Sequence, residues 1–245
     1  MHRPKLKLII GILSCEAHAT RREAIRATWL SRPLPPGVLA FFLVGRPGLP
    51  PRVDGDLLYL DCSDTYEGLP YKTCAFIRHC LDHWRFDHLF KCDDDTFVAL
   101  DRLLAYDVAR KDYVGAFTGS RASFNRTWHF GKCADPEAEV PYDGPWVAPY
   151  AAGGMGYFLS RAAARVVVAQ AAPAQELYED KMVGDILHTN GLRAFNDPKS
   201  FQRTRNPEPP GTTPLVTAHP ASEQQMYEFH QKLQGGAINL AGRTG

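Results

Sequence analysis

Four short apolar runs, "KLKLIIGILS" (5–14), "VLAFFLVG" (38–45), "LLYLD" (57–61) and "HLFKC" (88–92), dominate the first part of the chain. Each has the length and composition of a strand buried on both faces. After the first run, Thr20 with Glu23 three residues later makes a capping box, which predicts a helix starting near Arg21. Before the fourth, "YKTCAFIRHCLDHW" places Ile77, Cys80, Leu81 and Trp84 at helical spacing, the mark of an amphipathic helix packed on a sheet. The Pro- and Gly-dense "RPGLPPRVDGD" predicts a loop. Strand, helix, strand, strand, helix, strand is the order of an α/β domain with a largely parallel sheet. Such sheets take ligands at the carboxyl ends of their strands.

The later part reads differently. "DYVGAFTG" and "GYFLS" suit strands, with a long irregular segment between them. Helices are expected from Ser160, around Asp180 to His188, and from Ser222, where Gln225 completes a second capping box. Gly191 suits a left-handed C-cap, and "NPEPPGTTP" (206–214) a mobile loop. A length of 245 residues then fits one domain, residues 1–98 forming a nucleotide-binding half and 99–245 a substrate-shaping half. At 44% hydrophobic and 22% charged, the composition is globular and excludes long disorder. A net charge of +1 excludes a global pull toward nucleic acid or membranes. No apolar run approaches the ~18–20 residues that span a bilayer, so the chain is expected to be soluble as given. Six cysteines without a CxxC pair argue against structural zinc and favour reduced, buried thiols. Asn125-Arg126-Thr127 is a glycosylation sequon.

The fourth strand runs into three aspartates, Asp93, Asp94 and Asp95. Two carboxylates ~6 Å apart repel by roughly 3 kcal/mol at an effective dielectric near 20. A cation would relieve this, and oxygen ligands favour Mg²⁺, Mn²⁺ or Ca²⁺. The carboxylates are too few for an all-protein cage, which points to an open ion that also binds substrate phosphates. The bland alternative is a solvated acidic turn. An EF-hand is excluded, because the required glycine and glutamate do not follow.

Other residues admit two readings each. Arg22 and Arg26 share a helix face and suit a diphosphate, or else a surface salt bridge with Glu23. The glycines of "YAAGGMGYFLS" (150–160) lead into a strand, so they fit a loop hugging substrate, or a plain turn, better than a dinucleotide fingerprint. Glu179 and Asp180 at a helix start answer the helix dipole, or supply a general base. His219 lies in an extended run before Pro220.

In chain order, "RREAIRATW", "FFLVG", "DTYEGLPYKT", "KCDDDTFV", "GGMGYFLS", "YEDKMVG" and "AHPASEQQM" together resemble the β-1,3-galactosyltransferase family over roughly residues 5–230. That family includes β-1,3-N-acetylglucosaminyltransferases, the core 1 synthase and the Fringe proteins. The resemblance implies a GT-A glycosyltransferase fold, a Rossmann-like, mostly parallel sheet flanked by helices. It also implies inverting transfer of galactose or N-acetylglucosamine from a UDP-sugar to a hydroxyl of a glycan or glycoprotein acceptor, in β-1,3 linkage. Mn²⁺ or Mg²⁺ would hold the diphosphate through Asp95 and His219. Arg22, Arg26, Lys72, Asp93 and Asp94 would surround the nucleotide, and Asp180 would be the catalytic base. Trp146, Tyr150, Gly153, Gly154 and Glu179 would shape the substrate pocket. Relatives usually carry a membrane anchor and stem, so the resemblance implies a Golgi lumen for a eukaryotic chain and cytoplasm for a bacterial one. Two rival classes are an inactive sugar- or nucleotide-binding relative and a metal-dependent phosphoesterase.

Overall fold

The computed structural model describes residues 5–203 and 215–241, so the expected loop at 206–214 lies outside the described residues. β1 (Lys5–Leu13) is followed by α1 (Ala19–Ala27), β2 (Val38–Gly45), β3 (Arg52–Asp54), β4 (Leu57–Leu60), α2 (Leu69–His83) and β5 (Arg85–Asp93). Next come β6 (Phe97–Val98), α3 (Leu100–Ala105), β7 (Tyr113–Gly115) and β8 (Phe117–Thr118). After a long irregular segment, the chain continues with β9 (Tyr150–Ala151), β10 (Tyr157–Ser160), α4 (Arg161–Gln170) and α5 (Glu179–Thr189). β11 (Ala194–Asn196), β12 (Phe201–Arg203), β13 (Thr217–His219) and α6 (Glu223–Ala241) complete the order.

Eight strands form the main sheet in the order β11-β7-β10-β5-β1-β2-β4-β3. The pairs β5–β1, β1–β2, β2–β4 and β11–β7 are parallel. β10 runs antiparallel to both of its neighbours, and β3 antiparallel to β4. The central strands are mostly apolar at their buried positions because helices cover both faces. Leu8, Ile10 and Ile12 of β1 pack with Ile25 of α1 and Met226 of α6. Ile9 and Leu13 pack on the other side with Phe76 of α2 and Val167 of α4. Gly11 interrupts this face because the Phe76 ring occupies its side-chain space, 2.5 Å from where a Cβ would stand. All six cysteines are free thiols. Among the described residues, no helix is long and apolar enough to cross a membrane.

Several local expectations shift. The capping box at Thr20 does not form: α1 begins at Ala19 behind His18, whose ring turns to Asp94 instead of capping, and the Thr20 hydroxyl faces Glu223. α2 starts at Leu69, two residues before the stretch that predicted it, with Pro70 in the first turn where a missing N–H is harmless. Part of the expected loop at 46–56 is a hairpin strand. Asp54 pairs with Leu57 across a Gly55-Asp56 turn, with Gly55 at φ +62°. The Ser222–Gln225 box does form, each residue bonding the other's backbone N–H.

A second sheet, β12-β13-β6, returns the late part of the chain to the aspartates. β13 runs antiparallel to β6, pairing Thr217 with Val98 and Ala218 with Phe97. Continued, this register brings His219 toward the aspartates, and Ala221 N–H donates to the Asp95 carbonyl at 2.7 Å.

Candidate active site

At the carboxyl ends of β1 and β5 the chain opens a cavity of about 1120 Å³. The three aspartates enter it in different states. Asp93 accepts from the buried Lys91 Nζ at 2.9 Å. Asp94 is buried, and both of its oxygens are taken by α1 and its N-cap: Arg21 at 2.9 Å and His18 Nδ1 at 2.8 Å. Asp95 faces Arg21 only at 3.7 Å and His219 Nδ1 at 3.1 Å. Burial works against its charge, but His219 and Arg21 outweigh that and hold its carboxyl below the ordinary range.

The Asp95–His219 contact is close enough for an ion pair but lacks hydrogen-bond geometry. Asp95 Oδ1 and His219 Nδ1 are both buried, and neither has a hydrogen-bond partner among the described residues. Two converging buried polar atoms without a hydrogen-bond partner are costly unless something binds them. A carboxylate and an imidazole suit a divalent ion such as Mn²⁺, so the residues fit that group. Among the described residues no third His, Cys, Asp or Glu joins them, which leaves coordination open to substrate oxygens.

Gly154 makes this pair possible. A Cβ on Gly154 would stand 2.3 Å from His219 Nε2, and its carbonyl accepts from Thr96 Oγ1 at 2.5 Å. Gly154→Ala is therefore expected to push the imidazole off Asp95. A Mn²⁺ titration should show at least tenfold weaker binding with an unchanged melting temperature, and an unchanged titration would refute this packing.

Opposite stands the acidic start of α5. Glu179 is buried, accepting from Lys91 Nζ at 3.0 Å and from the Tyr157 hydroxyl. It lines the cavity, as expected from sequence, but both of its oxygens are engaged within the protein. Asp180 lines the cavity, held by the Gly153 N–H at 2.9 Å on Oδ2 and its neighbour's N–H, Lys181, at 2.8 Å on Oδ1. Burial, then the charge of Glu179, push its carboxyl up to about 6, although the cavity still reaches it.

The expected nucleotide contacts divide. Lys72 lines the cavity, but its Nζ is bonded to Asp64 at 2.5 Å and to the Ser14 carbonyl at 2.7 Å. Arg22 is buried and holds the Ser14–Glu16 loop, bonding Ser14 Oγ at 3.0 Å and the carbonyls of Cys15 and Glu16. Arg26 is not brought to the cavity, because it forms a two-pronged pair with Asp56 of the unforeseen hairpin, at 2.7 and 2.8 Å. Trp146 and Tyr150 are also not on its wall. Their rings pack around Gly119, and Tyr150 fills the space left by Gly184. Gly153 and Gly154 do line it. Sequence reasoning passed over Lys91, a lone cation inside an apolar strand, and His18, Arg21 and Asp64. It also passed over Trp128, Lys132 and Arg203, which carry no periodic signal.

The family model described as Galactosyltransferase matches residues 20–198. The chain is 29% identical over 178 residues to hydroxyproline O-galactosyltransferase GALT2 of Arabidopsis thaliana, a match covering 67% of this chain and 25% of that protein. It is 33% identical over 180 residues to β-1,3-galactosyltransferase 6 of Mus musculus, covering 64% and 53% respectively. The chain thus spans about a quarter of the plant relative and about half of the mouse one. Among solved structures, a glycosyltransferase involved in the glycosylation of the major capsid of PBCV-1 aligns with a TM-score of 0.51 at 10% identity, over 92% of this chain and 98% of that one. The fold is accordingly the GT-A glycosyltransferase fold. With the family model covering most of its length, the chain belongs to the galactosyltransferase family.

Proposed function

We propose that the chain transfers a hexose, galactose or N-acetylglucosamine, from a UDP-sugar to a hydroxyl of a glycan or glycoprotein acceptor, with inversion and in β-1,3 linkage. One observation carries this reading: the Asp95–His219 pair and the Asp180 carboxylate occupy walls of the same cavity at the carboxyl ends of β1 and β5. Asp95 and His219 would hold Mn²⁺, which when bound supplies positive charge against the diphosphate of the departing UDP.

The chain's own residues do the rest. Asp180 accepts the proton of the acceptor hydroxyl, and the Gly153 and Lys181 N–H groups fix the plane of its carboxylate. Its raised pKa makes it a stronger base than an ordinary aspartate while leaving it ionised at neutral pH. Glu179 cannot share that task, since both of its oxygens are engaged. Arg22 and Lys72 shape the loop at Ser14 and Cys15, which forms one side of the cavity.

Incubating the purified chain with UDP-galactose or UDP-N-acetylglucosamine and a panel of glycan acceptors tests the proposal. Mn²⁺-dependent UDP release with sugar incorporation, abolished by EDTA, is expected. Phosphate release from simple esters with no turnover of either donor would favour a phosphoesterase instead.

A further inference from the structure

One part of the cavity wall is unused by this mechanism. The irregular segment between β8 and β9 lines the cavity and is tied to the turn before α2, where Glu67 accepts the backbone N–H groups of Ala134 and Asp135, each at 3.2 Å. It carries Trp128, an indole 46% exposed and on the cavity wall. Lys132 Nζ lies 3.6 Å from the centre of that ring and 5.6 Å from that of Tyr66. The Arg203 guanidinium stands 5.0 Å from the centre of the same indole.

We propose that Lys132 and Arg203, gathered on Trp128, form a second anion site in the cavity, taking an oxyanion of the substrate apart from the Asp95–His219 pair. Both cations line the cavity. Neither forms an ion pair with a carboxylate among the described residues. The aromatic faces attract both charges without neutralising them. Partial burial and then the charge of Arg203 lower the pKa of Lys132, against the opposing charge of Asp180. Position narrows the occupant. Arg203 on β12 pairs in register with His219 on β13, so the site adjoins the Asp95–His219 pair. Lys132 and Asp180 line the same cavity, so the site opens on the same space as the base. An anion held there is either the donor's diphosphate or a carboxylate or sulfate on the acceptor sugar.

The inference rests on the proposed transfer only for the role of the anion, and binding can be measured without turnover. The double variant Lys132→Met with Arg203→Met should fold normally, because both side chains are exposed. Calorimetric titrations with UDP in the presence of Mn²⁺, and with neutral, uronate-bearing and sulfated oligosaccharides, are compared between it and the parent chain over a salt series. If the source is the donor, the Kd for UDP rises about tenfold or more and its salt dependence weakens. If it is the acceptor, UDP binding is unchanged, but acidic oligosaccharides lose an advantage over neutral ones of about the same size. Unchanged affinity and salt slope for every probe would overturn the site. A parent chain that transfers no sugar yet shows either effect would refute the transferase reading while leaving the anion site standing.

Discussion

Asp180→Asn is expected to lower sugar transfer by roughly 10²–10⁴-fold, the usual contribution of a positioned base, while leaving UDP affinity within a factor of about two. The carboxylate touches the Gly153 and Lys181 backbone and faces the cavity, so its loss removes proton acceptance and not donor contacts. The pH profile supplies a second reading of the same residue. A base must be ionised, and burial with the Glu179 charge pushes Asp180 up to about 6. Transfer should therefore fall about tenfold per pH unit below pH 6 and level off above it. The variant should lose that limb. A variant with near-normal transfer, or a parent profile flat down to pH 4.5, would place the base elsewhere.

Lys91→Ala is expected to cost about 3–5 kcal/mol of stability, the range for breaking a buried pair by removing one partner. Lys91 is only 3% exposed and Glu179 only 5%, so little water reaches either. Burial opposes the charge of Lys91, but Asp93 and Glu179 more than compensate, and its pKa is raised. Removing it strands the Glu179 carboxylate beside Asp180 and leaves Asp93 without its cation. Urea unfolding measures the loss. The double variant Lys91→Met with Glu179→Gln should recover at least half of it, because no uncompensated charge remains in that pair. A single-variant loss below 1 kcal/mol would mean that the pair is solvated.

Much of the fold was legible because the apolar runs are unambiguous. "VLAFFLVG" forms β2 over its whole length, and the carboxyl end of β5 falls at Asp93, within the aspartate triplet. Of the candidate site, what was legible is which residues reach the cavity at a strand or helix end, as Asp95, Asp180, Gly153 and Gly154 do. The site was less legible where a long side chain has a choice of partners. Arg26 and Arg22 look alike on a helical wheel, yet one reaches the Asp56 turn and the other the Ser14–Glu16 loop. The hairpin that supplies Asp56 was hidden because its Gly55-Asp56 turn follows closely on Pro47, Pro50 and Pro51. Trp128, Lys132 and Arg203 meet only through the tertiary path of an aperiodic segment, which no local pattern encodes. The repulsion expected among the three aspartates is relieved mostly from within. Lys91 takes Asp93, and His18 and Arg21 take Asp94, so Asp95 alone is left turned toward an unbonded His219.

The proposed transfer depends on Asp95 and His219 holding a divalent ion through which the chain would bind UDP. Titrating UDP into metal-stripped protein by calorimetry, with and without Mn²⁺, tests it most directly. Binding should appear only with Mn²⁺ in the parent chain, and should weaken at least tenfold in Asp95→Asn and in His219→Ala. Equal UDP affinity with and without the ion, or wild-type affinity in both variants, would contradict it.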